Sequence, residues 1–407
     1  MKILIITDSY PPEIRSASHL MYEFAHELRN RSHNVTVLTT APKYNLSDSS
    51  EKIKIKFLLK SIEDGIVIIK ISTPHIHNVN IIRRAVNWLI LPLYFYIAGR
   101  KLDKPQIIFV YSPPMTLGIA AYWLKNKYKS KFIFNVQDLF PQNAIDLGIM
   151  RNKIVIRFFE WIEKRIYKKA DLISVHSERN KEFLIKKGIE SQKIQVVYNW
   201  IDTRNFQCNR QNEFRSKLGL NKKFIILFAG IIGPAQGLEI IVLTADLLKH
   251  YRDIIFLLVG DGLEKRNLQK MVIKKGLKNI YFHPFIKKEM YPYLVKDCDV
   301  GLVSLSPKMR TPVVPGKILG YMAAGIPIIA CLNKESDGHM IIKKARCGYS
   351  LSAGDYRSLY EAILRLYQNK YIRRKMGSNG KKCVDNNFSK NICISKYENI
   401  FSQLLHN

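Results

Sequence analysis

Thr311-Pro-Val-Val-Pro-Gly-Lys-Ile-Leu-Gly-Tyr-Met-Ala-Ala-Gly-Ile-Pro-Ile-Ile-Ala330 carries more of the architecture than any other twenty residues of the chain. An apolar run ending near Leu305 precedes it, broken by proline, lysine and arginine. The pattern then predicts a short helix opening at about Pro315 and ending at Gly325. Pro327–Ala330 reads as the next strand, a continuous apolar run of the kind buried on both faces of a parallel sheet. The first turn of the helix gathers backbone N–H groups and the positive end of the helix dipole. Such a turn is a natural seat for a phosphate, and Lys317 would add a full positive charge there. One more βαβ unit with a surface lysine gives the same pattern, so this stretch alone leaves both readings open.

The same alternation extends in both directions. Ile3–Ile6, Val35–Leu38, Ile66–Ile71, Ile107–Val110, Phe132–Val136, Leu172–Val175 and Gln195–Val197 read as strands. They are separated by amphipathic stretches such as Leu20–Asn30, Leu117–Tyr128 and Ile154–Lys169. A second series follows, with strands at Phe224–Ala229, Ile254–Val259, Ile280–Phe282, Val300–Val303 and Pro327–Ala330. Helices at Leu238–His250 and Gly262–Lys275 interleave it. Two successive βα series predict an α/β protein of two doubly wound domains, residues 1–202 and 203–407, divided at the polar run Thr203–Asn212. Ligands in such folds collect beyond the carboxyl ends of the strands, which here predicts a cleft between the domains. A final helix, about Lys390–Leu405, has the spacing to pack back on the first domain.

The 407 residues suffice for two well-filled cores. Hydrophobic content of 47% and charged content of 24% exclude a disordered chain. Cys208, Cys298, Cys331, Cys347, Cys383 and Cys393 form no CxxC pair, which favours reduced core thiols over disulfides or a zinc site. Met1–Thr7 reads as a first strand rather than a signal peptide, and the two features together predict a cytoplasmic location. The net charge of +32 is spread over both halves. It suits a polyanionic partner such as an anionic lipid surface, although a lysine-rich compositional bias would also produce it. No nucleic-acid module or arginine-rich reading helix accompanies it.

Residues 81–101 depart from the alternation. The apolar run Trp88–Ala98 lies between Arg83-Arg84 and Arg100-Lys101. A spanning helix needs about 20 apolar residues, and Pro92 is expected to interrupt this one. Aromatic residues bracketed by cations suit the headgroup zone of a membrane, which makes Arg83, Arg84, Trp88, Tyr94 and Phe95 candidates for membrane contact. A core helix with solvated ends is the alternative.

In series, the motifs resemble the family 4 glycosyltransferases of GT-B architecture, and within them the branch that assembles bacterial O-antigen and capsule polysaccharide, including fucosamine-type transferases. The pieces that carry the resemblance are Tyr10-Pro-Pro-Glu13, His33–Thr39, Val136-Gln-Asp-Leu-Phe-Pro141, Tyr198-Asn-Trp-Ile-Asp202, Gly230–Glu239, Leu258-Val-Gly-Asp-Gly262 and Pro315–Ala330. They span nearly the whole chain. The resemblance implies two Rossmann-like domains facing a cleft, the second holding a nucleotide-sugar donor and the first an acceptor. It also implies a retaining enzyme at the cytoplasmic face of a bacterial membrane, with a UDP-sugar as donor and a polyprenyl-diphosphate-linked saccharide as acceptor. The donor sugar suggested is an N-acetylated amino sugar.

The departures from the family pattern fall in the donor site. Pro312 and Gly320 stand where many relatives have a pair of glutamates, the second of which grips the nucleotide ribose. Ile231 or Ile232 and Gln236 occupy the places of an arginine and a lysine that neutralise the donor diphosphate. The remaining donor-binding candidates are the backbone of Gly230, Gly233 and Gly237, with Gln236, Arg310, Pro315 and Gly316; Lys317 is the catalytic cation. Gly233 and Gly237 also serve simply to permit a turn. Gly260-Asp-Gly262 reads first as a turn closing a strand, with donor contact as its alternative. Phe285 or the backbone beside it is a candidate contact for the base, with a core aromatic as the rival.

Asp297-Cys-Asp299 imitates a metal-binding DxD but lacks further oxygen ligands nearby, so neither a metal nor a cofactor is expected. In the first domain, Gln137 and Asp138 would face the sugar; Asp138 is the second catalytic candidate, with an N-cap role as its alternative. Glu13 and Arg15 would meet the acceptor, or remain solvated loop charges. A non-catalytic membrane-bound assembly partner and a nucleotide-sugar epimerase are the rival functions.

Overall fold

Each half of the chain is organised around its own parallel sheet. The computed structural model describes residues 1–13, 15–42, 57–73, 81–208 and 212–406. Two units result: Met1–Gln142, Met150–Tyr198 and Cys393–Asn407 form the first, and Asn143–Ile149 with Asn199–Ile392 the second.

In the first unit the strands are β1 (Lys2–Ile6), β2 (Asn34–Thr40), β3 (Leu58–Glu63), β4 (Ile66–Ile71), β5 (Ile107–Ser112), β6 (Lys131–Val136), β7 (Leu172–Val175) and β8 (Ile194–Val196). Their order is β3-β4-β2-β1-β5-β6-β7-β8, parallel throughout except for the β3–β4 hairpin. Helices α1 (Ser16–Asn30), α2 (Ile81–Gly99), α3 (Leu117–Tyr128), α5 (Lys153–Lys169) and α6 (Glu178–Lys186) connect them, while the short α4 (Gln142–Asp146) belongs from Asn143 onward to the second unit. β5 is buried at every residue, as its unbroken apolar run requires in a sheet covered on both faces.

The second unit contains β9 (Phe224–Ala229), β10 (Ile254–Val259), β11 (Ile280–His283), β12 (Val300–Ser304), β13 (Ile328–Leu332) and β14 (Gly348–Ser352), in the order β11-β10-β9-β12-β13-β14 and all parallel. Its helices are α7 (Glu213–Lys217), α8 (Glu239–Leu247), α9 (Lys265–Lys274), α10 (Tyr291–Asp297), α11 (Lys317–Ala324), α12 (Gly338–Ala345), α13 (Tyr356–Gln368) and α14 (Lys370–Asn387). The last helix, α15 (Lys390–His406), contributes Tyr397 and Phe401 to the first unit, where they meet the rings of Phe24 and Phe109. There Glu398 also pairs with Arg31 and His33.

Two strands escape the sequence pattern because both are sheet edges. β3 presents Leu58, Leu59 and Ile62 to solvent, and β14 is largely polar. β14 needs Gly348, because a Cβ there would lie 1.9 Å from the Ile328 carbonyl oxygen.

α2 corrects two expectations. Pro92 sits inside a continuous helix rather than ending it. The Trp88 carbonyl, which loses its partner one turn later because proline has no N–H, accepts instead from Thr116 Oγ at 2.7 Å. The aromatic residues expected at a membrane also turn inward. Phe95 is fully buried in the core, Trp88 packs edge-on against Phe140, and Tyr94 is half-buried. The outward stripe is aliphatic: Val86, Leu89, Ile90 and Leu93. Arg83 is exposed, while the Arg84 side chain lies outside the described residues. Among the described residues no helix is long and apolar enough to cross a membrane.

Candidate active site

The second unit builds outward from β9 through β10 to β11, then returns to the other side of β9 with β12 and builds outward again. Loops leaving the carboxyl ends of β9 and β12 therefore run in opposite directions and open a crevice between them. The two strands pair only at Val300–Ile226 and Gly301–Leu227. Tyr321 of α11 fills the space beyond. Its ring lies over Gly301, where a Cβ would come within 2.3 Å, and its hydroxyl donates to the Leu227 carbonyl at 3.1 Å. The Ala229 N–H donates back to that hydroxyl at 3.3 Å. This anchor fixes α11, and its first turn with it, at the crevice.

Gly316 is the N-cap of α11, so the helix opens two residues later than the sequence pattern indicated. The N–H groups of Ile318 and Leu319 donate to the carbonyls of Pro315 and Gly316, which leaves those of Gly316 and Lys317 as the donors this turn presents. Gly316 is exposed, and the place where its Cβ would stand is open space. Pro315 is buried and has no N–H, so it shapes the turn rather than contacting a ligand.

Lys317 reaches from this turn across the end of β9. Its Nζ donates to Gln236 Oε1 at 3.3 Å and lies 4.8 Å over the Phe228 ring. A Cβ on Gly230, where φ is +142°, would stand 2.7 Å from Lys317 Cε. The backbone at 230 thus favours glycine, and a side chain there would push the end of the lysine aside. Burial pulls the Lys317 ammonium down to about 8, and among the described residues no carboxylate pairs with it. An ammonium held at a helix start without a counter-charge is prepared for an anion.

The loop after β9 is clamped to the loop after β12. Ser306 N–H donates to the Ala235 carbonyl at 2.9 Å, and Gly237, with φ +55°, lies against Ser306. Gly233 has an ordinary extended backbone, so the expected conformational need for glycine falls at 230 and 237 instead. Gly260, read first as a turn with donor contact as its alternative, packs directly against this loop. A Cβ on it would be 1.9 Å from the Gly230 oxygen, and its N–H donates to the His283 carbonyl at 2.9 Å. Phe285, two residues on, presents an exposed ring. Arg310 is exposed, and its backbone N–H donates to Asp146 at 3.0 Å.

The first unit has a corresponding reversal between β1 and β5. Buried Asp8, just past β1, is 3.2 Å from Arg15, which is also 3.6 Å from Glu13. Glu13 is itself buried and accepts from Ser9 Oγ at 3.2 Å. It therefore orients Arg15 rather than standing in solvent, which removes the solvated-loop alternative. Asp8 went unnoticed in the sequence, although a carboxylate directly after a first strand is where an α/β sheet exposes side chains to ligand. Asp138 follows β6. Water reaches it, yet the protein packed around its carboxyl raises its pKa, with nearby Arg15 opposing the rise. Gln137 Nε2 is engaged with Asn135 Oδ1 at 2.9 Å.

Comparison with known proteins agrees with this layout. Residues 17–205 match the model of Glycosyltransferase Family 4, and residues 210–383 match that of Glycosyl transferases group 1. The chain belongs to the family 4 glycosyltransferases. WcaI of Escherichia coli (strain K12), named as a colanic acid biosynthesis glycosyl transferase, is 25% identical over 335 residues, covering 80% of this chain and 82% of WcaI. Among solved structures, sucrose-phosphate synthase from Thermosynechococcus elongatus superimposes with a TM-score of 0.79 at 15% identity, covering 99% of both chains. Anabaena HepE in complex with UDP-glucose gives 0.75 at 15% identity, covering 99% of this chain and all of that one. The fold is GT-B.

Within this glycosyltransferase the two glutamate-free positions have physical explanations. Gly320 packs against Tyr291, whose hydroxyl would lie 2.6 Å from any Cβ placed there. Pro312 is buried in a segment held by Asn333 Nδ2 on the Thr311 carbonyl and Ser336 Oγ on the Val313 carbonyl. Asp297 and Asp299 are structural. Asp297 caps α7 by accepting the N–H groups of Asn212 and Phe214, and Asp299 accepts the Ile225 N–H and pairs with Arg215. Arg215→Ala strips the guanidinium from a largely buried pair and will destabilise the protein by about 3–5 kcal/mol in denaturant unfolding. A UDP-induced thermal shift will survive it, and loss of that shift with full stability would instead assign the pair to the donor site.

Proposed function

We propose that this glycosyltransferase transfers a sugar from a UDP-linked donor to a polyprenyl-diphosphate-linked saccharide, with retention of configuration and without a metal ion, in bacterial surface polysaccharide assembly of the O-antigen or capsule type. The observation that carries the proposal is the desolvated Lys317 ammonium beside the first turn of α11. As the bond between the sugar and the diphosphate lengthens, negative charge builds on the departing oxygens. Lys317 and the N–H groups of Gly316 and Lys317 meet that charge more strongly in the transition state than in the ground state. The acceptor oxygen forms its bond to the anomeric carbon on the same face, and its proton passes to an oxygen of the leaving diphosphate. Asp138 and Gln137 orient sugar hydroxyls, and Arg15 receives the acceptor. Phe285 stacks on the base, and Arg310 adds charge near the diphosphate.

UDP-glucose in HepE supports a UDP-linked donor, and the name of WcaI supports polysaccharide assembly. A lipid-linked acceptor would keep the enzyme peripherally on the inner face of the cytoplasmic membrane, with the exposed Arg83 toward anionic headgroups.

A thermal-shift panel of nucleotides and nucleotide sugars tests donor binding before any acceptor is known. UDP and its sugars at a hundredfold excess over Kd will stabilise the fold by about 2.7 kcal/mol. A panel in which no nucleotide shifts the melting temperature contradicts the proposal and favours a non-catalytic partner. Chelator will leave turnover unchanged; a loss restored by magnesium would overturn the metal-free mechanism.

A further inference from the structure

Helix α5 has three faces, and only two of them are explained by the fold. Phe159, Ile162, Ile166 and Tyr167 are buried in the core of the first unit. Lys153, Arg157, Lys164 and Lys168 form an exposed basic flank. The third face is an exposed apolar stripe of Ile154, Phe158 and Trp161, at 80%, 43% and 53% exposure, with Val155 beside it. The rings of Phe158 and Trp161 are nearly parallel, 18° apart, with centroids at 6.4 Å. The Arg165 guanidinium covers Trp161 at 4.4 Å. Isolated exposed apolar residues are ordinary, but an isoleucine, a phenylalanine and a tryptophan aligned on one helix face constitute a binding surface.

We propose that α5 lies in the interface of an anionic bilayer, with Ile154, Phe158 and Trp161 among the acyl chains and Arg157, Lys164, Arg165 and Lys168 on lipid phosphates. Charge selects this occupant. The helix carries two acidic residues: Glu163 is buried and paired with Lys187, and Glu160 is half-buried, so the exposed faces are dominated by cations. A second copy of the chain would press one basic flank against another, whereas anionic headgroups neutralise it. An amphipathic helix with a basic flank and large aromatic residues on its apolar stripe has the composition of an interfacial helix. α2 is its neighbour, since Phe140 touches Trp88 of α2 at 5.0 Å and Phe159 of α5 at 5.3 Å. The inference rests on the membrane placement proposed above and adds to it a specific inserted helix, but its test requires neither donor nor acceptor.

The full-length protein is sedimented with vesicles of phosphatidylcholine alone or mixed with phosphatidylglycerol. Wild type will partition onto the mixed vesicles, and less so at high salt. Phe158→Glu combined with Trp161→Glu will lower that partition at least about tenfold while the circular-dichroism melt stays unchanged. Unchanged partition of this variant overturns the assignment. So does a wild-type dimer that the same substitutions convert to a monomer, which would make the occupant a second copy. Leu89→Glu with Leu93→Glu separates the two helices: if only that pair releases the protein, the membrane placement stands through α2 and the role of α5 falls. As an independent readout, the fluorescence blue shift on adding mixed vesicles will be lost in Trp161→Phe, and its full retention counts against insertion.

Discussion

Lys317→Ala will lower turnover by about a hundredfold while the fold stays intact. The size follows from the position of the ammonium. Gly230, Gln236 and the Phe228 ring hold it over the end of β9, and among the described residues no carboxylate shares it. Arginine at 317 would not be an equivalent, because the passage beside Gly230 that accommodates Cε leaves little room for a planar guanidinium. The pH dependence distinguishes a catalytic cation from a structural one. In the free protein the ammonium titrates at about 8, so kcat/KM for the donor will fall as pH rises through that value. A bound diphosphate favours the charged form, so kcat at saturation will hold to higher pH. The stability linkage has the opposite sense. Folding lowers this pKa from 10.5, so the unfolded chain holds the proton more tightly between about 8 and 10.5, and this group's contribution to stability rises across that window. Lys317→Met therefore removes a desolvation cost at neutral pH: the variant will melt higher than wild type and show no UDP shift. A normal rate for Lys317→Ala, or a flat kcat/KM profile through pH 8, removes the lysine from the mechanism.

Gly260→Ala will be the most damaging single methyl group in the second unit's site. Its Cβ would stand 1.9 Å from the Gly230 oxygen, and φ at 260 is +148°, where an L-residue is strained regardless of space. Overlap and backbone strain together will cost about 3–5 kcal/mol in denaturant unfolding. The displacement also propagates toward ligand. The loop after β9 moves at Gly230, which sets the path of Lys317, and the Gly260 N–H bond to the His283 carbonyl holds the turn leading to Phe285. UDP affinity will therefore fall even where the variant is fully folded by circular dichroism. Wild-type melting together with wild-type UDP affinity would mean the two loops can part without consequence.

What could be read in the sequence depended on whether a feature was local. The crossover from β12 through α11 to β13 lies within one segment, so Lys317 and the helix start were legible from Pro315, Gly316 and the apolar run at Pro327–Ala330. Gly260 read first as a turn, with donor contact only as the alternative, because its partner is a carbonyl thirty residues earlier that becomes adjacent only when β9 and β10 pair. Asp8 was hidden for a related reason: the guanidinium that gives it a role belongs to Arg15, across a loop of prolines. Periodicity marked α5 as a helix, whereas residues 81–101 fell outside the pattern and left a core helix only as the alternative; in neither could it say which apolar stripe is buried. In α2 the aromatic residues looked like membrane anchors, yet Phe95 fills the core, Trp88 and Tyr94 are half-buried, and the aliphatic stripe faces out. In α5 the converse holds for Trp161. Edge strands β3 and β14 lack the double burial that makes central strands conspicuous.

A structure of the protein with UDP decides the role of Lys317. The diphosphate will lie within hydrogen-bond distance of Lys317 Nζ and of the Gly316 and Lys317 N–H groups, with the Lys317–Gln236 contact exchanged for phosphate oxygen. UDP bound elsewhere, with Lys317 still on Gln236, would contradict that role.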